Sequence, residues 1–186
     1  MSGKTSEAQQ TKGMSHLAGK YLTFKLAGEE HGLEILKVKE IIGMMDITKV
    51  PRTPDFVRGV INLRGKVIPV IDLRTKFGLE KAEDTDETCI IVVEIALNGI
   101  PVQTGILVDT VSEVLDIHGE DIEDAPAFGN GVETKFILGM AKSKGDVKIL
   151  LNIEEVLTAD DLALLSYTAS RTEPEAKKFA TVNATM

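Results

Sequence analysis

Tryptophan is absent from the 186 residues, and only two tyrosines and six phenylalanines are present. Base-stacking platforms and sugar-binding aromatic surfaces therefore have little to be built from. A single cysteine, Cys89, excludes an internal disulfide and a cysteine-built metal site, and its setting in Thr88-Cys89-Ile90-Ile91-Val92-Val93 reads as a buried strand. That usage fits a reducing compartment. Positive charge is in the minority: 21 Lys plus Arg stand against 29 Asp plus Glu, a formal charge of -8, which opposes a sequence-independent grip on nucleic acid or anionic lipid. No apolar run approaches the ~18 residues of a membrane span, and residues 1–19 are polar with no signal-peptide core. The expectation is a cytoplasmic protein, neither inserted nor exported.

What the chain does have is a series of short β-favouring runs punctuated by glycine, at 21–27, 32–35, 57–63, 66–71, 89–97, 102–108, 136–141 and 147–153. Turn chemistry sits between them at Gly28 with Glu29 and Glu30, at Arg64-Gly65, at Asn98-Gly99 and at Lys144-Gly145-Asp146. Residues 1–19 and 171–186 have little to bury and are expected to be mobile tails.

The chain also repeats itself. Residues 31–42 align with 104–115 at an offset of 73, matching Gly32 with Gly105, Val38 with Val111 and Glu40 with Glu113. Residues 59–77 align with 139–157 at an offset of 80, matching Gly65 with Gly145, Val67 with Val147 and Asp72 with Asn152. The difference falls in the acidic, Gly- and Pro-containing stretch 117–134, read as a long loop. A strand-rich unit of this size hides its edges most economically by closing into a small barrel, so the fold expected is mainly β, two barrels in tandem. Asp72 and Asn152 are good N-caps for a short helical turn after each terminal hairpin. A last helix is expected over 159–169, opened by Thr158 and Asp161, with Leu162, Leu165 and Ala169 on one face packed against a barrel.

Catalytic constellations are missing. Of three histidines, His16 lies in the N-terminal tail, while His31 and His118 read as solvated surface residues. Cys89 reads as core, the acidic run 118–124 lacks the ligand alternation of a calcium loop, and Leu63-Arg64-Gly65-Lys66 is too short to wrap a phosphate. Weight shifts to surfaces. In residues 35–42 the apolar Ile35, Val38, Ile41 and Ile42 fall at helical spacing, which reads either as core beneath the first barrel or as the lining of a groove between the barrels.

The string Gly59-Val-Ile-Asn-Leu-Arg-Gly-Lys-Val-Ile-Pro-Val-Ile-Asp-Leu-Arg74, with Pro54-Asp-Phe-Val-Arg58 before it and the 31–40 segment upstream, closely resembles the CheW family of bacterial chemotaxis coupling proteins. The resemblance covers residues 21–169 and implies two SH3-like five-stranded β-barrel subdomains, with short helices and a C-terminal helix. Within a CheW-like domain over 20–170, two interlocked barrel subdomains are expected at approximately 20–85 and 86–157, with the helix over 159–169. The resemblance further implies an adaptor that catalyses nothing and needs no cofactor or metal. It would bridge the cytoplasmic tip of methyl-accepting chemoreceptors to the regulatory domain of the histidine kinase CheA, and associate with membrane receptor arrays only through those partners. Carried over residue by residue, the receptor-binding groove involves Ile35, Val38, Ile41 and Arg64, with Glu40 associated with that arginine, and the kinase contact involves Gly59. A CheA kinase or a CheV protein would need further domains for which 186 residues leave no room. Two other readings are a nucleic-acid-binding barrel, opposed by charge, and an enzyme, which a deep pocket converging on His31 or His118 would revive.

Overall fold

The computed structural model describes residues 14–126, 134–158 and 160–161. Four two-residue turns create its hairpins, each with an ordinary residue and then a glycine at positive φ, the type I′ geometry whose twist matches that of the flanking strands. Ala27-Gly28 joins β1 (Gly19–Leu26) to β2 (Glu29–Glu34), and Arg64-Gly65 joins β4 (Val57–Leu63) to β5 (Lys66–Asp72). Asn98-Gly99 joins β6 (Cys89–Leu97) to β7 (Ile100–Val108), and Lys144-Gly145 joins β10 (Ile137–Ser143) to β11 (Asp146–Leu151). Between them lie β3 (Val38–Gly43), β8 (Thr110–Ile117) and the two-residue β9 (Ile122–Glu123). The helical turns α1 (Leu73–Lys76) and α2 (Ile153–Val156) begin where expected: Asp72 accepts from the Thr75 N–H at 3.3 Å and Asn152 from the Glu154 N–H at 3.2 Å.

Two sheets result, ordered β8-β1-β2-β11-β10-β9 and β3-β6-β7-β5-β4. Their composition crosses the approximate boundary at 85/86. Each sheet combines the first hairpin of one repeat with the later strands of the other, through the parallel pairs β2–β11 and β5–β7. The repeat itself is visible in the pairing, since Gly32 sits opposite Leu150 as Gly105 sits opposite Val70. A bulge at Val57/Gly59 in β4 recurs at Ile137/Gly139 in β10. Exchange of this kind lets both copies hide edges that a separate unit would expose.

Burial follows the same plan. Ile61, Ile68, Val70, Ile90, Val92 and Leu107 fill the five-stranded subdomain, while Leu17, Tyr21, Ile117, Ile122, Ala141 and Leu150 fill the six-stranded one. The largest cluster lies between them, where Phe24, Leu26 and Leu33 meet Ile71, Ile91, Val93, Ile95 and Ile106. Each such side chain contributes ~1.5–3 kcal/mol before entropy is subtracted, so the junction is as much a core as either barrel.

The N-terminal boundary also needs correction. Ser15–Leu17 form a 3-10 turn whose Leu17 is buried, and the Tyr21 hydroxyl donates to the Leu17 carbonyl at 2.6 Å, so the ordered part begins before residue 20. Burial pushes the Tyr21 phenol up to about 12, with Glu34 adding to the effect. Of the helix expected at 159–169, Asp160 and Asp161 are helical and residues 162–169 lie outside the described residues, as do 1–13 and 171–186.

Candidate protein-docking site

The sequence-predicted groove residues sit on and beside β3, an edge strand. In place of a helical stripe over 35–42, the chain makes one 3-10 turn, Ile35–Lys37, and then extends. β-branched Val38, Ile41 and Ile42 favour the strand. The helical spacing has another origin, a β-bulge between Val38 and Glu40, where Val38 faces Val93 and Glu40 faces Val92. Directly opposed residues share a face, so the extra residue restores Ile41, opposite Ile91, to the face of Val38. Ile35 and Val38 are half-buried against the shared core, and Ile41 remains 43% exposed. Leu36, 88% exposed at the 3-10 turn, extends the apolar surface. Lys37 pairs with Glu154 at 2.8 Å and Lys39 with Glu94 at 3.6 Å along its flanks.

Glu40 falls on the opposite face and reaches Arg64. The Arg64 Nη1 donates to Glu40 Oε2 at 2.8 Å and Nη2 to Oε1, a two-pronged pair in which the arginine side chain is 72% exposed. Arg64 is the left-handed residue of its turn, at φ 53°, and Gly65 N–H is held by Asn62 Oδ1 at 2.8 Å. The pair ties β3, an outer strand of the five-stranded sheet, to the β4–β5 turn. The hydrogen bonds from Arg64 hold the Glu40 carboxyl below the usual carboxylate range despite some desolvation, and the guanidinium is raised correspondingly.

Gly59, expected at the kinase contact, is buried, with φ at 144°. A Cβ there would lie 2.8 Å from the Thr48 carbonyl carbon and 2.9 Å from Ile47 Cγ2, and closest to the Thr48 oxygen. Thr48 and Val60 exchange backbone hydrogen bonds at 2.8 and 2.9 Å across this approach. The residue shapes backbone, in a close approach to Thr48 that a side chain would disturb, and offers no side-chain surface of its own.

Arg74, the last residue of the family-like string, had no role assigned from sequence. Its Nε donates to Asp109 Oδ1 at 2.6 Å, while Asp109 Oδ2 also accepts from Ala27 N–H at 2.8 Å. One carboxylate thus links α1, the β7–β8 junction and the β1–β2 turn. Burial alone would raise the Asp109 carboxyl, but Arg74 and the Ala27 N–H outweigh it and hold it low. The signal was an arginine closing a hairpin motif, whose long-range partner no local pattern names.

His118 is exposed as expected, whereas His31 is buried. Its ring lies between Phe24 and Phe77, with centroids 5.6 and 6.3 Å away, and its Nδ1 is 3.1 Å from the Glu29 carbonyl oxygen. A cavity of about 550 Å³ does reach it, lined mainly by apolar side chains such as Leu26, Phe77, Phe136, Ile149 and Val156, with Glu29, Lys76, Lys135 and Glu155 also on its walls. Burial lowers the His31 pKa, against smaller opposing effects from Glu29. The unfolded chain therefore takes up this proton first as pH falls: the stabilisation is full above about 6.5 and shrinks below it. Lowering pH from 7.5 to 5.5 should reduce the thermal midpoint of the native protein more than that of His31→Phe. Parallel curves for the two would refute the assignment.

Two SH3-like subdomains sharing one core, with an apolar edge strand beside an exposed charge fork, define a scaffolding domain that works through its surfaces. Residues 20–161 match the family described as CheW-like domain, and the chain belongs to that family. It is 38% identical over 161 residues to the chemotaxis protein CheW of Klebsiella aerogenes, covering 84% of this chain and 95% of that protein. It is 31% identical over 140 residues to the chemotaxis protein CheW of Rhizobium meliloti, covering 75% and 88%. Among solved structures, the scaffolding protein TtCheW from Thermoanaerobacter tengcongensis superposes with a TM-score of 0.68 at 38% identity, over 77% of this chain and 95% of that one. The family is one of chemotaxis scaffolds. Among the described residues no helix is long and apolar enough to cross a membrane.

Proposed function

We propose that this chain couples the cytoplasmic tip of methyl-accepting chemoreceptors to the regulatory domain of the histidine kinase CheA, by docking both and turning over nothing. The observation that carries the reading is edge strand β3, which presents the strip of Ile35, Val38 and Ile41 on one face and holds the exposed Arg64–Glu40 fork from the other. Such a strip receives an amphipathic helix by its spaced apolar anchors, and the fork fixes its register. The kinase takes a different surface, whose backbone Gly59 shapes from within. The protein works in the cytoplasm and reaches the membrane through its partners.

The test is pulldown of the full chain with a CheA regulatory domain and, separately, with a receptor-tip helical hairpin. The native chain should capture both. Ile41→Asp, at a half-exposed position that folding tolerates, should lose the hairpin at least tenfold and keep the kinase domain. A native chain that captures neither partner overturns the proposal, and equal loss of both by the variant overturns the assignment of the strip.

A further inference from the structure

We infer that the polar pocket between α1 and the loop before β4 is a binding site for the phosphate group of a small molecule. The sequence of that loop creates the space. Between β3 and β4 the chain carries Pro51 and Pro54, which cannot donate to a ladder, and it turns through Arg52 at a positive φ of 62°, so it leaves the sheet. Its far end is fixed by the Val57 N–H, which donates to the Pro54 carbonyl at 2.9 Å, and by the Asp72 N–H, which donates to the Phe56 carbonyl at 2.8 Å. Across from it Asp72 opens α1, and the chain leaving that turn comes back past the loop at Lys81 and Ala82. The pocket between them measures about 400 Å³.

Its walls carry donors in search of an acceptor. Lys49, Arg58 and Lys81 line it with Asp55 and Asp72, a local excess of cations in a chain whose formal charge is -8. Among the described residues, Lys49 and Lys81 make no ion pair. Arg58 is only partly engaged: its Nη2 donates to Asp84 at 2.6 Å, but its Nη1 stands 3.4 Å from Asp72 Oδ2, long for a charged pair. Asp72 is shared as well, since its Oδ1 accepts from the Thr75 N–H as the cap of α1. Thr75 lines the same pocket, and its Oγ1 is buried with no hydrogen-bond partner among the described residues. An orphaned buried hydroxyl is destabilising until an acceptor reaches it.

The donor set selects the ligand. Two ammoniums, one guanidinium edge and a hydroxyl offer more donors than a carboxylate has oxygens, whereas a phosphate presents enough acceptors and a second negative charge. The volume lies within the range of about 300–1,000 Å³ of small-molecule sites and exceeds one phosphate, so the class is a small phosphate ester. Asp55 is the acceptor left for its hydroxyl groups. Once bound, the anion ties the loop before β4 to α1 and to the chain at Lys81.

Titration of the full chain with inorganic phosphate at about pH 7.5 and fixed ionic strength, followed by amide chemical shifts, tests the site. Shifts should saturate, centred on residues 49–58, 72–75 and 81–82. Lys49→Gln and Lys81→Gln should each weaken binding about threefold or more, and Lys66→Gln, the same loss of charge at the β4–β5 turn, should leave it unchanged. Thr75→Val should weaken binding while the thermal midpoint of the ligand-free protein stays level or rises, because the orphaned hydroxyl is gone; a threonine with a merely structural role would lower it. Shifts that grow without saturating, or that respond equally to the three glutamine changes, amount to ionic screening and overturn the proposal. Acetate binding as tightly as phosphate overturns the ligand class. Unchanged affinity or a lowered midpoint in Thr75→Val overturns the part given to the hydroxyl.

Discussion

Gly59→Val should lower stability by about 3 kcal/mol or more, the largest effect expected from any single change outside the hydrophobic cores. Two costs combine. The φ of 144° is one that side-chain-bearing residues rarely adopt, and the added atoms would meet Thr48 backbone, which moves only by breaking the Thr48–Val60 hydrogen bonds. Gly43→Ala is the control, because a Cβ there meets nothing within 4 Å, and it should change stability by less than about 1 kcal/mol. Urea unfolding of the three proteins provides the comparison. A midpoint for Gly59→Val equal to the native one would show that β4 does not need the close approach.

Arg64→Ala should weaken binding of a receptor-tip hairpin tenfold or more while leaving the thermal midpoint in place. An arginine side chain 72% exposed contributes little to folding, but its fork holds Glu40 of β3 and presents a fixed cation at the surface. Arg64→Lys should not restore binding, since an ammonium cannot reproduce two parallel donors. The exchange Glu40→Arg with Arg64→Glu keeps the tie between β3 and the β4–β5 turn but moves the cation, so recovery of binding would indicate that the tie alone matters. Because Arg64 holds the Glu40 carboxyl low, native binding should persist as pH falls past the ordinary carboxylate range and fail only beneath it. Undiminished affinity in Arg64→Ala, or affinity lost together with the fold, would remove Arg64 from the docking surface.

Much of the fold was legible because its signals are local. X-Gly pairs between β-favouring runs placed the hairpins, Asp72 and Asn152 placed the helical turns, and Gly32 matched with Gly105 revealed the duplication. Long-range choices were not legible. Nothing in residues 20–85 says that β2 will lie beside β11 in place of a strand of its own copy, because that pairing depends on which hairpin best fills the common core. β3 and β8 were missed for related reasons: bulged β3 mimics helical spacing, and β8 is an outer strand carrying Glu113, Asp116 and an exposed Val114. His31 looked solvated because a polar residue after a turn normally is, and only the folded chain supplies Phe77 as its second stacking partner. At the candidate site, the Glu40–Arg64 pairing came from family resemblance, and the geometry adds that it joins the edge strand β3 to the β4–β5 turn.

The exchange of hairpins makes this chain a covalently tethered twin. Half of it, cut free, would hold two strand rows with no neighbours and would have to find another half before either could bury its apolar face. Linking the halves removes that search, and it also frees the two copies to diverge.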